Sequence, residues 1–446
     1  MSSSSDLRLD ELKALAAGDD LGPFVARAVQ LHPSDLADVL AELEEAVRVR
    51  AVAELPTDVA SRALAEMEAA EHPEELLRAV GPDYAADLVE ELPADDAADI
   101  VGELSPEERE AVLAEVADRV DVDRLLTYAE DSAGGLMTPE VVAVREDASL
   151  AEALEEIRRQ SGESDQLYQV YVVDRDRRLK GVLPIARLVV AAPSRRVGDI
   201  MEPPAAAVAP AQDQEDVARL MARYNLAAVP VVDEGNRLLG RVTFDDVIDV
   251  VEAETTEDLL KFGGVNPKED LAGGWAPAVR RRLPWLYVNL LTASVGATVV
   301  YLFQGTISQF VALTIWMPVV AGMGGNTGTQ ALAVTVRRLA LGRVPARGAL
   351  DVIRKELTVG VVNGLAVGLV VSAIAAALGQ RLILGSVVLL AMWGNLAVAG
   401  FAGAFIPILL ERMGVDPAIA SSVFVTAFTD VCGFLLLLGL GTTLLL

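Results

Sequence analysis

The apolar positions of this chain keep three different rhythms in turn. From about residue 20 to residue 130 they recur every three or four residues, as in Leu36, Val39, Leu40 and Leu43, which is the period of an amphipathic helix. Each run is entered through a related phrase: His32-Pro33-Ser34-Asp35, Leu55-Pro56-Thr57-Asp58, Gly81-Pro82-Asp83, Leu92-Pro93-Ala94-Asp95-Asp96 and Ser105-Pro106-Glu107-Glu108. Proline suits the first helical turn because the N–H it lacks would have no partner there, and the acids after it face free N–H groups and the positive dipole end. The entries are unevenly spaced, so residues 1–130 are expected to form an acidic all-α domain of short helices in a degenerate superhelical stack. Most of its acids read as solvated caps, while Asp95, Asp96 and Asp99 crowd one stretch and could offer a ligand face.

From Gly134 short β runs alternate with helices, and the order occurs twice. Leu136-Met137-Thr138-Pro139 returns as Ile200-Met201-Glu202-Pro203, Val170-Tyr171-Val172-Val173-Asp174 as Val229-Pro230-Val231-Val232-Asp233, and Leu179-Lys180-Gly181-Val182 as Leu238-Leu239-Gly240-Arg241. Helices are expected over 149–160 and Gln214–Tyr224. The whole resembles a tandem pair of α/β CBS domains, with copies over 131–198 and 199–255. Such a resemblance implies an adenine nucleotide such as ATP, held by a Gly-x-x-Ser/Thr-x-x-Asp phrase. The second copy keeps that phrase as Gly240, Thr243 and Asp246; the first has Gly181, Pro184 and Arg187, without the hydroxyl and carboxylate. The alternative for the second copy is local: Thr243 caps the helix that starts at Phe244.

Residues 244–262, FDDVIDVVEAETTEDLLKF, predict a long connecting helix with Val247, Val250 and Val251 on one side. Its other side carries Asp245, Asp246, Asp249, Glu252, Glu254, Glu257 and Asp258. Acids three and four residues apart repel one another along a helix, and a bound divalent cation relieves the repulsion. Gly263-Gly264 and Gly273-Gly274 break the pattern and Arg280-Arg281-Arg282 marks a membrane entry, so 244–280 is taken as connecting helix and linker. Within 281–446 the rhythm becomes continuous, with apolar runs at about 285–303, 311–336, 357–378, 383–410 and 418–446, each long enough to span a bilayer. The first connection is uncharged, the second carries Arg337, Arg338, Arg343, Arg347, Arg354 and Lys355, the third only Arg381, and the fourth Glu411, Arg412 and Asp416. Cationic connections stay in the cytoplasm. The expected layout is a multi-pass cell-membrane protein with a cytoplasmic N-terminus, five spanning helices and an external C-terminus.

Charge sharpens that division. Of 65 acids only Asp351, Glu356, Glu411, Asp416 and Asp430 lie beyond residue 270, against 11 of 37 bases. So acidic a region before the spans repels nucleic acid and attracts cations. Cys432 is the only cysteine, so no disulfide framework exists. The start, MSSSSDLRLDELKAL, lacks the basic and apolar regions of a secretory signal. A nucleophile–base constellation, a P-loop and a metalloenzyme motif are all missing, so an enzyme is not expected.

Two polar stretches interrupt the spans. Asp430 lies midway along the last run, where a carboxylate costs at least ~2.5–3.5 kcal/mol and persists by facing a partner or a watery cavity. At 3.6 residues per turn it shares a face with Ser422, Thr426 and Gly433. The second run contains Pro318-Val319-Val320-Ala321-Gly322-Met323-Gly324-Gly325-Asn326-Thr327-Gly328-Thr329-Gln330, whose glycines allow close backbone approach or turn carbonyls to a lumen. With His32 and His72 far from the spans and Cys432 isolated, no soft-ligand site for zinc or copper is expected. Hard, slowly dehydrating Mg2+ is satisfied by one or two carboxylates with retained waters; Mn2+, Co2+ and Ca2+ stay open.

Together with Thr429-Asp430-Val431-Cys432-Gly433, these phrases and the domain order resemble the MgtE family of magnesium channels. The resemblance implies a homodimer in membrane lipid with its pore along the dimer axis, Asp430 as pore carboxylate, Asn326 beside it, and Asp416 as a further cation-binding acid. It also implies cytosolic Mg2+-sensing sites at Asp95 and Asp99, Asp213 and Glu215, Asp246 and Asp249, and Glu254, Glu257 and Asp258, on a connecting "plug" helix and its neighbours. One family acid is replaced by Arg62. The expected function is Mg2+ entry that closes when cytosolic Mg2+ occupies these sites; a CBS-regulated secondary transporter of divalent cations (Co2+, Mn2+) and a non-transporting Mg2+ sensor are the alternatives.

Overall fold

The computed structural model describes residues 3–67, 71–161, 167, 169–266, 274–341 and 348–445; Gly273, Arg343 and Arg347, named above, lie outside them. The chain forms two compact units, Met1–Glu252 and Ala253–Leu446.

The first unit opens with α1 (Ser3–Ala16), α2 (Gly22–Ala28), α3 (Pro33–Ala41), α4 (Glu45–Glu54), α5 (Thr57–Ala65), α6 (Pro73–Val80), α7 (Pro82–Glu90), α8 (Ala94–Gly102), α9 (Pro106–Leu113) and α10 (Val120–Leu125). The five Pro-led phrases start α3, α5, α7, α8 and α9 as expected. At α9 the Glu108 N–H donates to Ser105 Oγ (3.3 Å) and the Ser105 N–H to Glu108 Oε2 (3.1 Å), a reciprocal cap. Their apolar faces, with Phe24, Leu36, Leu40, Leu77 and Leu88 fully buried, join one core that continues to Met137, Val217, Val231 and Val250.

Next come β1 (Ala143–Arg145), α11 (Leu150–Ser161), β2 (Val170–Val173), β3 (Leu179–Leu183), α12 (Ile185–Val190), α13 (Gln214–Tyr224), β4 (Ala228–Val232), β5 (Leu238–Thr243) and α14 (Phe244–Phe262). β1 runs parallel to β2, and β2–β3 and β4–β5 are antiparallel hairpins. The copies share their register: Val172 pairs Gly181 and Val231 pairs Gly240, each with a bulge one residue on. The repeated Met-x-Pro phrases serve the opposite copy, since Thr138 bridges Arg241 of β5 and Glu202 bridges Val182 of β3. Each crossing runs over a glycine. A Cβ on Gly181 would stand 2.6 Å from the Glu202 carbonyl oxygen, and one on Gly240 2.7 Å from that of Thr138. The two copies are thereby interlocked.

The second unit holds the end of α14 and α15 (Trp275–Leu302), α16 (Gln304–Gln309), α17 (Leu313–Ala340), α18 (Ala349–Ala377), α19 (Leu382–Arg412) and α20 (Pro417–Leu445). Among the described residues, α15, α18, α19 and the Ser422–Leu445 part of α20 are long and apolar enough to cross a membrane. The 28-residue α17 has the length, but its Gly-, Asn- and Thr-rich middle keeps it out of that set. The helices begin and end up to about ten residues outside the apolar runs, because helical hydrogen bonding continues past the bilayer core into polar flanks such as Arg280–Arg282. α19 packs against α17, α18 and α20. Gly360, Gly364 and Gly368 of α18 lie on the α19 backbone at Leu396, Trp393 and Leu389, a small-residue stripe that permits tight helix packing.

Candidate cation sites

In the second unit the glycines of α17 bring it close to α19 and α20. A Cβ on Gly324 would meet the amide of Asn395 and lie 3.4 Å from Thr429 Cβ; on Gly325 it would lie 3.7 Å from Thr426 Cγ2, and on Gly328 2.5 Å from Val425 Cγ1. The Gly-Gly-Asn-Thr phrase therefore runs beside the Thr426–Asp430 stretch. Asn326 is exposed on α17. Thr429 is fully buried and its hydroxyl donates to the Thr426 carbonyl at 2.9 Å. Asp430 is half-buried, and no described residue hydrogen-bonds or ion-pairs its carboxylate. The expected face is partly revised: Ser422, Thr426 and Asp430 keep some exposure, but Gly433 is buried against Asn395 because only a residue without a side chain fits under that amide.

Near the start of α20, Asp416 Oδ2 accepts from the Lys261 ammonium at 2.5 Å. Lys261, in the last turn of α14, also pairs with Glu257 one turn earlier. Asp258 has its carboxyl pushed up by burial, then by Asp416 and Glu254, with Arg337 opposing. Glu254, Glu257, Asp258 and Asp416 are thus brought into one electrostatic neighbourhood. Lys261 supplies its central cation.

The first unit gathers a second set. Asp96 on α8 is raised to about 8, first by burial and then by Asp95, Asp246, Asp99 and Glu66. Asp246 on α14 is raised to about 7 by burial, Asp95 and Asp245, against the Thr243 hydroxyl, which donates to it at 2.6 Å. Asp99 rises to about 7 through crowding of its carboxylate by surrounding protein, then Asp95, Glu130 and Asp246, although the residue itself is exposed to solvent. Burial also raises Asp95, and its Oδ1 is buried without a partner among the described residues. Crowded acids kept protonated by each other and by burial are a set that a hard divalent cation would ionise and join. As they stand, no three Asp, Glu, His or Cys groups among the described residues converge on a point that could hold a metal.

Other expected ligands lie apart. The Asp213 carboxylate accepts from the Glu215 N–H at 2.9 Å and caps α13, and Glu215 pairs with Arg219 at 3.5 Å. Asp249 is exposed on α14. Arg62 is held by Asp58 at 3.0 Å. At the expected nucleotide phrase, Met137 and Thr138 lie over Gly240, and the Thr243 hydroxyl donates to Asp246 at 2.6 Å. In the first copy Arg187 pairs with Glu202 instead. Asp96, read from the sequence with Asp95 and Asp99 as part of one ligand face, is indeed crowded with them. Lys261 and Asn395 were absent from the expected site residues, because an Asn in an apolar run and a Lys in an acidic helix acquire meaning only through their neighbours in space.

Three family profiles match: "MgtE intracellular N domain" over residues 31–131, "CBS domain" over 133–193 and 197–253, and "Divalent cation transporter" over 317–440. The chain is 40% identical over 339 residues to the magnesium transporter MgtE of Thermus thermophilus, covering 75% of this chain and 74% of that one. Identity to the magnesium transporter MgtE of Bacillus subtilis is 33% over 328 residues, 74% of this chain and 73% of the relative. Among solved structures, the ATP complex of the cytosolic domain of the Mg2+ channel MgtE superposes with a TM-score of 0.51 at 38% identity, covering 54% of this chain and 99% of that chain. The soluble part of a magnesium transporter gives 0.51 at 28% identity over 56% of this chain and 99% of that one. Its family profiles in order, its apolar C-terminal helices and these relatives establish a membrane protein that belongs to the MgtE family.

Proposed function

We propose that this chain is a Mg2+-selective channel that admits magnesium to the cell and is closed by cytosolic Mg2+. The observation that carries this reading is Asp430: a carboxylate midway along a membrane helix, beside the glycine-rich stretch of α17, with no partner among the described residues. An acid at that depth is stable when it faces water or a cation. A homodimer brings two copies of Asp430 and Asn326 to a shared axis, and two carboxylates with retained waters suit hydrated Mg2+. α17 then serves as the fifth span, its polar face turned to the pore instead of lipid. The basic α17–α18 connection sits in the cytoplasm with the first unit, and the C-terminus is external.

Cytosolic Mg2+ joins Asp95, Asp96, Asp99 and Asp246, and separately Glu254, Glu257, Asp258 and Asp416. Ions there shift the gate only as far as they prefer the closed form. Domain limits at about 130, 198, 255 and 280 follow the composition changes. Asp213, Glu215 and Asp249 are weaker ligands, since the first two have local work. ATP, seen with the relative's cytosolic domain, would be held at the CBS pair, with Gly240 and Thr243 as its candidate contacts. No catalytic role is assigned. Mg2+ flux into vesicles holding purified protein tests the reading. Asp430→Asn and Asp430→Ala should abolish it, and wild-type flux in either removes Asp430 from the pore. Currents at carrier-like turnover would favour the secondary transporter.

A further inference from the structure

We propose that Lys261 is an internal counter-cation whose ammonium stands where a divalent ion would otherwise bridge Glu257 of α14 and Asp416 beside α20. It thereby sets the Mg2+ concentration at which that bridge is occupied. The inference rests on the proposed regulatory role of these acids, but its geometry does not. Lys261 is largely buried, with 12% of its side chain exposed against 38% for Glu257 and 31% for Asp416. Its ammonium touches both carboxylates. A lysine on an exposed acidic helix would keep its head in water; this one turns its head inward to two acids, one of them 155 residues away.

The charge of the neighbourhood explains what Lys261 changes. Glu254, Glu257, Asp258 and Asp416 supply negative charge, and Lys261 and Arg337 supply positive charge. Removing Lys261 makes this set one unit more negative and leaves the Glu257 and Asp416 carboxylates without the ammonium they share. The two cations also differ in kind. An ammonium is a point charge with three donors, satisfied by two carboxylates in loose geometry. Mg2+ requires near-octahedral oxygens and yields its waters reluctantly. A tethered ammonium competes intramolecularly for the carboxylates, so the bridge fills at a higher Mg2+ concentration with Lys261 than without it.

The test is divalent-ion binding to the full-length, detergent-solubilised protein, with Mn2+ as the probe, read from the EPR signal of the free ion. Lys261→Met should tighten the weakest class of sites about fivefold, and Lys261→Arg should leave it near the wild-type midpoint. In an Asp416→Asn background Lys261→Met should have no further effect, because the shared carboxylate is gone. Should Lys261→Met fail to give a monodisperse protein, Lys261→Gln makes the same comparison. An unchanged or weakened isotherm in a well-folded neutral variant overturns the proposal, as does an undiminished effect with Asp416→Asn. Wild-type protein that binds Mn2+ as described but carries no Mg2+ flux would overturn the proposed function and leave the role of Lys261 standing.

Discussion

The side-chain amide of Asn395 donates to the main-chain carbonyl of Val320 at 3.0 Å, tying α19 to α17 inside the apolar core. Asn395 is fully buried, its Oδ1 has no partner among the described residues, and Gly324 and Gly433 close over its head. A polar group with one unmet acceptor is a costly way to fill a core position. Its neighbours are the glycine stretch of α17 and the residues flanking Asp430, so it holds the register of the two helices that form the proposed pore. Asn395→Ala removes one interhelical hydrogen bond, for a stability loss of about 1 kcal/mol. Flux should fall by far more than that loss explains, and thermal unfolding measured beside vesicle flux separates the two effects. Equal, small changes in both would make Asn395 a packing residue only.

Gly324→Ala makes the converse test. Its methyl would collide with the Asn395 amide, and a buried side chain pinned between three helices has nowhere to go. Overpacking of this kind costs about 1–3 kcal/mol. The double variant Gly324→Ala with Asn395→Ala should recover most of the lost stability, read as the return of a monodisperse, cooperatively melting protein.

The interlocked CBS copies predict a matched pair of defects. Gly181→Ala and Gly240→Ala each drive a methyl into a backbone carbonyl of the opposite copy, at Glu202 and Thr138. Both should lower the unfolding temperature, whereas Gly305→Ala, with open space around it, should not.

Much of the architecture is legible in the linear order of residues, and the gaps have physical reasons. Pro-led phrases mark α3, α7 and α9 because capping and dipole effects act within one turn. The repeated CBS phrases show that two copies exist, but Met137 and Met201 do not reveal that each crosses to the other copy's hairpin, since strand exchange leaves no local signature. Asp95, Asp99 and Asp246 were readable as acids in suggestive places. Their meeting depends on the fold bringing the acids of α8 near the start of α14, which no periodicity encodes. α17 shows the opposite failure: its polar middle weakens the hydropathy that marks a span, for the same reason that it suits a pore.

Removing divalent ions should expose the repulsion stored in the first unit. Asp246→Asn deletes one of its crowded acids, so in EDTA this variant should unfold at a higher temperature than the wild type. With millimolar Mg2+ the order should reverse, because the variant has lost a ligand. If Mg2+ raises the melting temperature of both equally, Asp246 is not among the residues that hold the ion.

The pH dependence follows from the same carboxyls. Ordinary aspartates lose their protons near 4, but Asp96 holds its proton to about 8, and Asp99 and Asp246 hold theirs to about 7. Between those limits the folded state binds more protons than the unfolded chain, so without divalent ions its stability falls as pH rises from about 4 to about 8. Mg2+ must displace these protons to bind. Its stabilising effect should therefore be small at pH 6, grow through pH 7 and level off above pH 8. Thermal unfolding of the full chain at fixed millimolar Mg2+ over that range checks the sign. A Mg2+ effect that is flat from pH 6 to pH 8 would mean that Asp96, Asp99 and Asp246 ionise without the metal, and that the ions act elsewhere.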